Sequence, residues 1–337
     1  MKSHAAGSDA ARRAEGYVLV LLAAFCWAGG GLLAKWLFSM PGPETAGWPF
    51  PPLAIEVDAV VLSGARAVVS TLIAAAYLLL RRRELLRIRG RDIPFLAVFG
   101  ILGLAMVHFA YFKTISLTGV ATAILLEYLA PVIVLAFSVT LLGERLTLAL
   151  PAAVTLSIAG CALMVGALGS GGLVVPREGL IWGLASAVFF AGYSLMGKYA
   201  ADRFAPWTLL TYGLGFASVF WLIVLGGPGP IMSLLSDWRA ALAVLALAVV
   251  STIIPFGAFL KALGMIEATQ ASVTSTVEPV IAGIVAWFVF GEHLTFLQLI
   301  GGVLVVAAVA LSQASTRVAA EMPVVDPDAL GDSVGGV

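Results

Sequence analysis

One sequence pattern occurs twice in this chain of 337 residues. A Pro-Val-Ile triplet is followed, after nine intervening residues, by Gly-Glu and then, one residue further on, by Leu-Thr. The pattern covers residues 131–147 and again residues 279–295. Every matched position is offset by 148 residues, and a second similarity relates residues 27–35 to residues 190–198. Self-similarity on this scale indicates a duplicated structural unit, and the chain must therefore fold as two related halves.

The duplicated unit is apolar. Hydrophobic residues make up 61% of the chain and charged residues 11%, against about 45–50% and about 25% in soluble domains. A membrane-spanning helix needs about 20 apolar residues. Ten blocks meet this requirement, near 17–39, 55–80, 93–112, 119–141, 148–168, 179–200, 207–226, 240–260, 269–290 and 296–314. The sequence therefore predicts an all-α integral membrane protein with ten transmembrane helices.

These blocks divide into two repeats of five helices, over 16–168 and 179–314. The polar, low-complexity tails, 1–15 and 315–337, are predicted to be disordered because they lack residues that can form a core. An odd number of helices per repeat means that the second repeat inserts with the opposite orientation to the first. Inverted repeats give a bundle two similar conformations, each open to one face, and they are typical of secondary transporters.

The orientation follows from the arginines between the second and third helices. Cytoplasmic loops carry an excess of lysine and arginine, and we therefore place this loop, and with it both termini, on the cytoplasmic side of a plasma (inner) membrane. A lipid-binding or nucleic-acid-binding patch is the alternative interpretation of the same charges, and we expect no nucleic acid partner. The arginines are Arg81, Arg82, Arg83, Arg87, Arg89 and Arg91.

Other classes of membrane protein fit the sequence less well. The three histidines have no metal-ligand spacing, and the chain has no Gly-x-Ser-x-Gly, P-loop or His-Glu-x-x-His motif. We therefore expect neither an enzyme nor a metal or organic cofactor. A channel or a non-transporting scaffold stays open as an alternative to a carrier.

The repeated stretches, from Lys113 to Thr147 and from Lys261 to Thr295, resemble the drug/metabolite transporter superfamily, in particular its EamA-type ten-helix exporters. Residues 27–29 and Arg66 support the resemblance, which covers roughly residues 16–314. It implies alternating-access export of small metabolites, often amino acids or related amphipathic solutes, with the lipid bilayer as partner. Proton coupling and facilitative exchange without protons are both open, as are a monomer and a homodimer. The chain departs from this resemblance in the long Pro-rich segment 41–52 after the first helix, which most compact members of the family lack.

Three ionisable side chains lie in the middle of predicted helices: Arg66, Glu127 and Glu278. Ionisable groups at membrane depth are costly and mark functional sites. In the repeat register Glu127 matches Ser275, which we also predict to bind substrate or proton, and Glu278 matches Ala130. The two carboxylates therefore lie three positions apart on nearly the same helix face. Related by the repeat axis, they would face one central cavity, where each could bind a proton or a substrate ammonium. The alternative is an internal Arg66–Glu127 ion pair that only fixes packing.

Each carboxylate lies close to a proline. Pro131 removes the helical hydrogen bond to the carbonyl of Glu127, and Pro279 removes that of Ser275. A freed carbonyl at membrane depth needs a polar partner or water, which is tolerated beside a cavity. The prolines therefore predict polar function, and a gating role, at the same depth as the carboxylates.

The remaining candidates are aromatic or belong to the repeated Gly-Glu pair. Trp27, Tyr111, Tyr128 and Tyr193 are predicted to line an aromatic cavity. His108 is either a hydrogen-bonded packing residue or a proton relay, and we favour packing. The pairs Gly143-Glu144 and Gly291-Glu292 are predicted to be structural, capping the next helix or its loop.

Overall fold

The computed structural model describes residues 2–38, 40–42, 45–46, 51–52, 54–55, 57–167, 175–290 and 294–321. Within these ranges every regular element is a helix. Nine helices are long and apolar enough to cross a membrane, and a tenth, Ala149–Met164, is apolar but shorter. The predicted all-α, ten-helix membrane fold is therefore confirmed for the part of the chain described.

We number these ten helices along the chain. The first repeat contains α1 (Lys2–Phe38), α2 (Ala59–Arg81), α3 (Gly90–Thr118), α4 (Val120–Leu141) and α5 (Ala149–Met164). The second repeat contains α6 (Arg177–Ala200), α7 (Pro206–Val224), α8 (Trp238–Leu263), α9 (Ala268–Val289) and α10 (Phe296–Glu321). A short helix, Gly229–Ser236, lies between α7 and α8.

The irregularities of the helices repeat with the sequence. A π-helical turn interrupts α3 at Ile101–Ala105, and another interrupts α8 at Val249–Ile253, 148 residues later. The regular helix of α4 breaks after Glu127, and that of α9 breaks after Ser275, again at the same offset. The two halves therefore share helix distortions as well as helix order, which supports the two-repeat architecture.

Helix packing relates the repeats by an approximate two-fold axis. Equivalent helices meet in the pairs α2–α7 and α5–α10, while α1 packs on α8 as α3 packs on α6. The second segment of α4 also packs on the first segment of α9. A large aromatic core joins α1, α3, α6, α7 and α8. These cross-repeat pairs leave the broken helices α4 and α9 near the middle of the bundle.

The loop between α2 and α3 identifies one end of the bundle, which we call the arginine-rich end. The loop packs against α7, where Thr208 Oγ1 donates to the carbonyl of Leu85 at 2.7 Å. At the start of α3, Asp92 pairs at 3.3 Å with Arg203, which lies between α6 and α7. Tyr212 donates to the carbonyl of Leu86 at 2.7 Å. The far end of the bundle, which carries the α1–α2 and α3–α4 connections, is called the opposite end.

The terminal segments differ from the prediction of disorder. Helix α1 begins at Lys2 rather than near residue 16, and α10 extends to Glu321. Residues 10–15 are alanines, arginines and a glutamate, all with high helix propensity, so that the apolar helix continues into them. Arg12 also donates to the carbonyl of Gly264 at 2.6 Å, and Glu15 pairs with Lys261 at 2.7 Å. Residues 322–337 lie outside the described ranges.

Candidate substrate site

A cavity of about 800 Å³ lies in the middle of the bundle, between the two repeats. It extends from Glu127 and Glu278 to Met40 and Ser116 at the opposite end, both of which are exposed. Its charged or titratable lining residues are Arg66, His108, Tyr111, Glu127, Tyr128 and Glu278. Both mid-helix carboxylates and the mid-helix arginine therefore face one space.

Glu278 is 8% exposed and begins the second segment of α9. Its carboxylate Oε2 lies 2.6 Å from the hydroxyl oxygen of Tyr128 on α4. The same hydroxyl lies 2.9 Å from the carbonyl oxygen of Ser275. Because Pro279 has no N–H to offer that carbonyl, Tyr128 supplies a polar partner at the α9 break.

Ser275 therefore contributes its backbone to the site. Its side chain is fully buried and donates back to the carbonyl of Ser272 at 2.7 Å. The repeat register places Ser275 at the position of Glu127, but a serine hydroxyl is short enough to bond within its own helix turn. The side chain of Ser275 therefore bonds the backbone of its own helix turn, and the prediction that it binds substrate is wrong for this conformation.

Glu127 lies at the end of the first segment of α4 and is partly buried. Its Oε2 accepts a hydrogen bond from the hydroxyl of Ser186 on α6. No lysine, arginine or histidine nitrogen of the described residues lies within 4.0 Å of this carboxylate. The alternative in which Glu127 and Arg66 form a packing ion pair is therefore wrong for this conformation.

Arg66 is 3% exposed, and α8 binds its guanidinium. Nη2 donates to Thr252 Oγ1 at 2.7 Å and to the carbonyl of Ser251 at 3.3 Å, while the guanidinium carbon lies 4.8 Å from the centre of the Phe112 ring. Both acceptors belong to the π-helical turn of α8, a distortion that is frequent at functional sites. The hydrogen-bond partners of this positive charge are neutral.

Aromatic rings form the apolar walls. Trp27 and Tyr111 line the cavity as predicted, and Phe190 joins them, with its ring 5.8 Å from that of Trp27. Tyr193 does not line the cavity. It is fully buried behind Phe190 and donates to the carbonyl of Phe256 at 2.9 Å. One helix turn separates positions 190 and 193, and the repeat mate of Trp27, residue 190, is the one that faces inward.

Two polar nitrogens in the cavity wall lack partners. Nε1 of Trp27 and Nε2 of His108 are buried, and neither has a hydrogen-bond partner among the described residues. The imidazole of His108 also packs edge-on against Phe256, with the ring centres 4.8 Å apart. Buried polar groups are normally hydrogen-bonded. Both nitrogens are therefore available to a polar ligand or to water. His108 also forms a hydrogen bond with the backbone of Leu104, as expected of a hydrogen-bonded packing residue.

The two prolines begin the second segments of the broken helices. Pro131 is the second residue of the segment Ala130–Leu141, and Pro279 is the second residue of Glu278–Phe290. A proline is well tolerated at this place because the first turn of a helix has no donors to lose. Each therefore restarts its helix after a break at the depth of the carboxylates.

The arginine-rich end is closed by contacts to α9. Glu144 is buried, and its carboxylate accepts from the amide of Ala268 at 2.6 Å and from Thr269 Oγ1 at 2.7 Å. Glu144 therefore forms a structural cap, but the helix that it caps is α9 of the other repeat rather than the next helix or its loop. Gly143 allows this through its positive φ of 69°, which turns the chain back after α4. Burial raises the pKa of Glu144 above its ordinary value.

A second contact closes the same end. Lys198 on α6 donates to the carbonyl of Ile266 at 2.7 Å and pairs with Glu267 at 3.5 Å. Together with the Glu15–Lys261 pair, it ties α1, α6, α8 and the start of α9 together. Gly291 and Glu292, the repeat mates of the Gly-Glu pair, lie outside the described residues.

Two site residues, Phe190 and Ser186, are not among the sequence predictions. Phe190 has a sequence signal, because it is the repeat mate of Trp27. Tyr128 lines the cavity as predicted, but its contact with Glu278 is not predicted, although it adjoins Glu127 and matches Thr276 at the α9 break. Ser186 had no sequence signal, because only the packing of α6 on α4 brings its hydroxyl to Glu127.

Known proteins resemble this chain over most of its length. An uncharacterized transporter of Archaeoglobus fulgidus is 34% identical over 63% of this chain and 75% of its own length. The pseudopaline exporter CntI of Pseudomonas aeruginosa is 28% identical over 74% of this chain and 84% of its own length. A solved crystal structure superposes with a TM-score of 0.70 at 24% identity, covering 90% of this chain and 98% of that one, which establishes the shared fold.

The model of the EamA-like transporter family matches residues 14–166 and again residues 177–313. The two matches cover both repeats, including both broken helices and both carboxylates of the cavity. They also account for the resemblance drawn from the repeated sequence pattern, and they make the chain a multi-pass membrane transporter rather than an enzyme. The chain belongs to the EamA-like transporter family.

Proposed function

We propose that this protein is a secondary exporter of small amphipathic metabolites that carry both a carboxylate and an ammonium group, amino acids among them, and that protons drive the export through Glu278. One observation carries the proposal: two carboxylates and one guanidinium line the same central cavity between the repeats. A zwitterion could neutralise both kinds of charge in that cavity. The aromatic rings of Trp27 and Phe190 would accept its apolar part.

Proton coupling follows from the cost of an ionised carboxylate at membrane depth. Glu278 has a hydroxyl neighbour but no cation within 4.0 Å among the described residues. It must therefore gain either a proton or a substrate ammonium, and the two compete for one site. This competition would exchange protons for substrate across the membrane.

Alternating access uses the inverted repeats. The described conformation is closed at the arginine-rich end by Glu144 and by the Lys198 and Glu15–Lys261 contacts. We assign this end, with both termini, to the cytoplasm, so that the cavity leads to the outside. Export would then require a second conformation in which the repeats exchange roles.

Purified protein in lipid vesicles tests this proposal. Vesicles are loaded with radiolabelled aromatic or aliphatic amino acids, one at a time, and contain a pH-sensitive dye. We expect saturable transport, counterflow with unlabelled substrate, and a pH change that accompanies transport. Counterflow without a pH change would make the protein a facilitative exchanger, and transport that does not saturate would make it a channel.

A further inference from the structure

The hydroxyl of Tyr128 stands between two acceptors but has one proton. It lies 2.6 Å from Oε2 of Glu278 and 2.9 Å from the carbonyl oxygen of Ser275. A carbonyl oxygen can only accept. The carbonyl of Ser275 has also lost its helical donor, since residue 279 is a proline. The protonation of Glu278 therefore decides which of these groups is satisfied.

The two states differ in a simple count of protons. When Glu278 is protonated, its carboxyl donates to the oxygen of Tyr128, and Tyr128 donates to the carbonyl of Ser275, so that every group has a partner. When Glu278 is ionised, it can only accept, and it competes with the carbonyl for the one proton of Tyr128. A charged acceptor forms the stronger hydrogen bond, so the buried carbonyl loses its donor.

These groups lie at the two helix breaks, so that the change in hydrogen bonding can alter the bend of a helix. Tyr128 lies in the break of α4, and Ser275 and Glu278 lie on either side of the break of α9. The two breaks are 148 residues apart and equivalent in the repeats. Tyr128 thus joins the flexible point of one repeat to that of the other.

Other titratable groups also face Glu278. Those with an electrostatic interaction are Glu127 on α4, Tyr111 on α3 and Cys161 on α5. The thiol of Cys161 lies 3.7 Å from the carbonyl of Thr276, in the α9 break itself. None of the three is placed between Glu278 and the carbonyl that Pro279 leaves free.

We propose that Tyr128 is the positioning residue that transmits the protonation of Glu278 to the break in α9. With Glu278 protonated, Tyr128 holds the Ser275 carbonyl and favours the described conformation. Loss of the proton to water in the cavity turns the hydroxyl towards Glu278, and the break becomes free to bend. This inference rests on the proposed proton coupling at Glu278 and adds the step by which the helix responds.

Two measurements on each variant test the inference. Spin labels at Ala14 on α1 and Leu148 before α5, both exposed at the arginine-rich end, report the conformation by their distance. The native cysteines are buried and stay in place. Infrared difference spectroscopy reports the protonated carboxyl of Glu278, which is assigned by its absence in Glu278→Gln. Both are recorded from acidic to alkaline pH in vesicles.

In the wild type we expect the distance distribution to shift with pH, together with the carboxyl band. In Tyr128→Phe the band should still titrate while the distance shift is lost. Tyr193→Phe is the matched control, because it also removes a buried hydroxyl from a backbone carbonyl but has no carboxylate partner. It should keep the wild-type shift.

Pro279→Ala provides a second route if Tyr128→Phe folds poorly. The alanine N–H can bond the Ser275 carbonyl at every pH, so the distance shift should again be lost while the band titrates. A pH-dependent shift that persists in both variants would overturn the role of Tyr128. A Glu278 band that does not titrate in the wild type would overturn the proposed coupling, and this inference with it.

Discussion

At the scale of single residues, the cavity combines charges of both signs without pairing them. Arg66 is bound by Thr252 and the carbonyl of Ser251, and each carboxylate by a hydroxyl. Neutral partners hold the side chains in place but leave their charges uncompensated. The Arg66–Glu127 ion pair that the sequence allowed is not formed, and the proposed zwitterionic substrate would bring charges opposite to those of the cavity.

Arg66→Gln tests the recognition of a substrate carboxylate. A hydrogen bond to a charged group contributes about 1.5–3 kcal/mol, so we expect the KM for a transported amino acid to rise roughly 10- to 100-fold. The corresponding amine, which is the same compound without its carboxylate, should have the same KM in the wild type and in Arg66→Gln. Initial transport rates in vesicles measure both. An equal effect on the two compounds would assign Arg66 to packing against Phe112.

At the scale of helices, the breaks in α4 and α9 are the features that position the site. The sequence indicates both breaks, because Pro131 and Pro279 occupy equivalent positions in the two repeats and each follows a carboxylate within four residues. The π-helical turn of α3 had no such marker, since Ile101–Ala105 contains no proline. That of α8, Val249–Ile253, is followed by Pro255, which has no N–H to offer the carbonyl of Ser251 inside the turn.

Pro279→Ala tests the α9 break as a gating element. The new N–H can restore the hydrogen bond to Ser275, and α9 should become straighter and stiffer. We expect folding and membrane insertion to be preserved while the transport rate falls. Expression, size-exclusion profile and vesicle transport are measured together. Unchanged transport with collapsed expression would show that the proline serves folding alone.

Glu144→Ala tests the closure of the arginine-rich end. Losing a helix cap costs about 0.5–2 kcal/mol, and thermal unfolding in detergent should show a lowered midpoint. Glu84→Ala is the control, because that glutamate is exposed and forms a surface pair with Arg82 at 3.9 Å. Such pairs contribute about 0–1 kcal/mol, and its midpoint should barely move. Equal midpoints for the two variants would contradict the capping role.

The same variant should show a defined pH dependence. Burial raises the pKa of Glu144 in the folded state, so the folded protein binds this proton more tightly than the unfolded chain does. Stability from this group is therefore fully present below the unfolded pKa and declines as pH rises through the folded pKa. Glu144→Ala should therefore lower the free energy of unfolding more at acidic than at alkaline pH. A cost that grows with pH would contradict this assignment.

At the scale of the whole molecule, the duplication accounts for most of what the sequence predicted. The two related halves and the shared depth of the carboxylates follow from the repeated sequence, and the helix number follows from the ten apolar blocks. The partners within the site do not, because Ser186 and Thr252 approach Glu127 and Arg66 from other helices. The sequence also missed the helical terminus of α1, where Arg12 and Glu15 contact the α8 end.

Topology reporters test the assigned orientation. A reporter fused after Arg317 should lie in the cytoplasm, and one inserted at the Gly226–Gly227 turn between α7 and α8 should lie outside. An insertion beside Glu84, in the loop between α2 and α3, is the internal control and should also report cytoplasm. External positions for both residue 317 and the Glu84 insertion would contradict the orientation. An external residue 317 with a cytoplasmic Glu84 insertion would contradict the even helix number and the inverted repeats.

The most direct test of proton coupling through Glu278 is to measure pH-gradient-driven transport by Glu278→Gln. The variant keeps the shape of the side chain but cannot take up or release a proton. In vesicles with an imposed pH gradient we predict that Glu278→Gln loses gradient-driven transport and keeps counterflow. Glu127→Gln should retain part of the driven transport, because its amide oxygen can still accept from Ser186. Wild-type dependence on the pH gradient in Glu278→Gln would contradict the account.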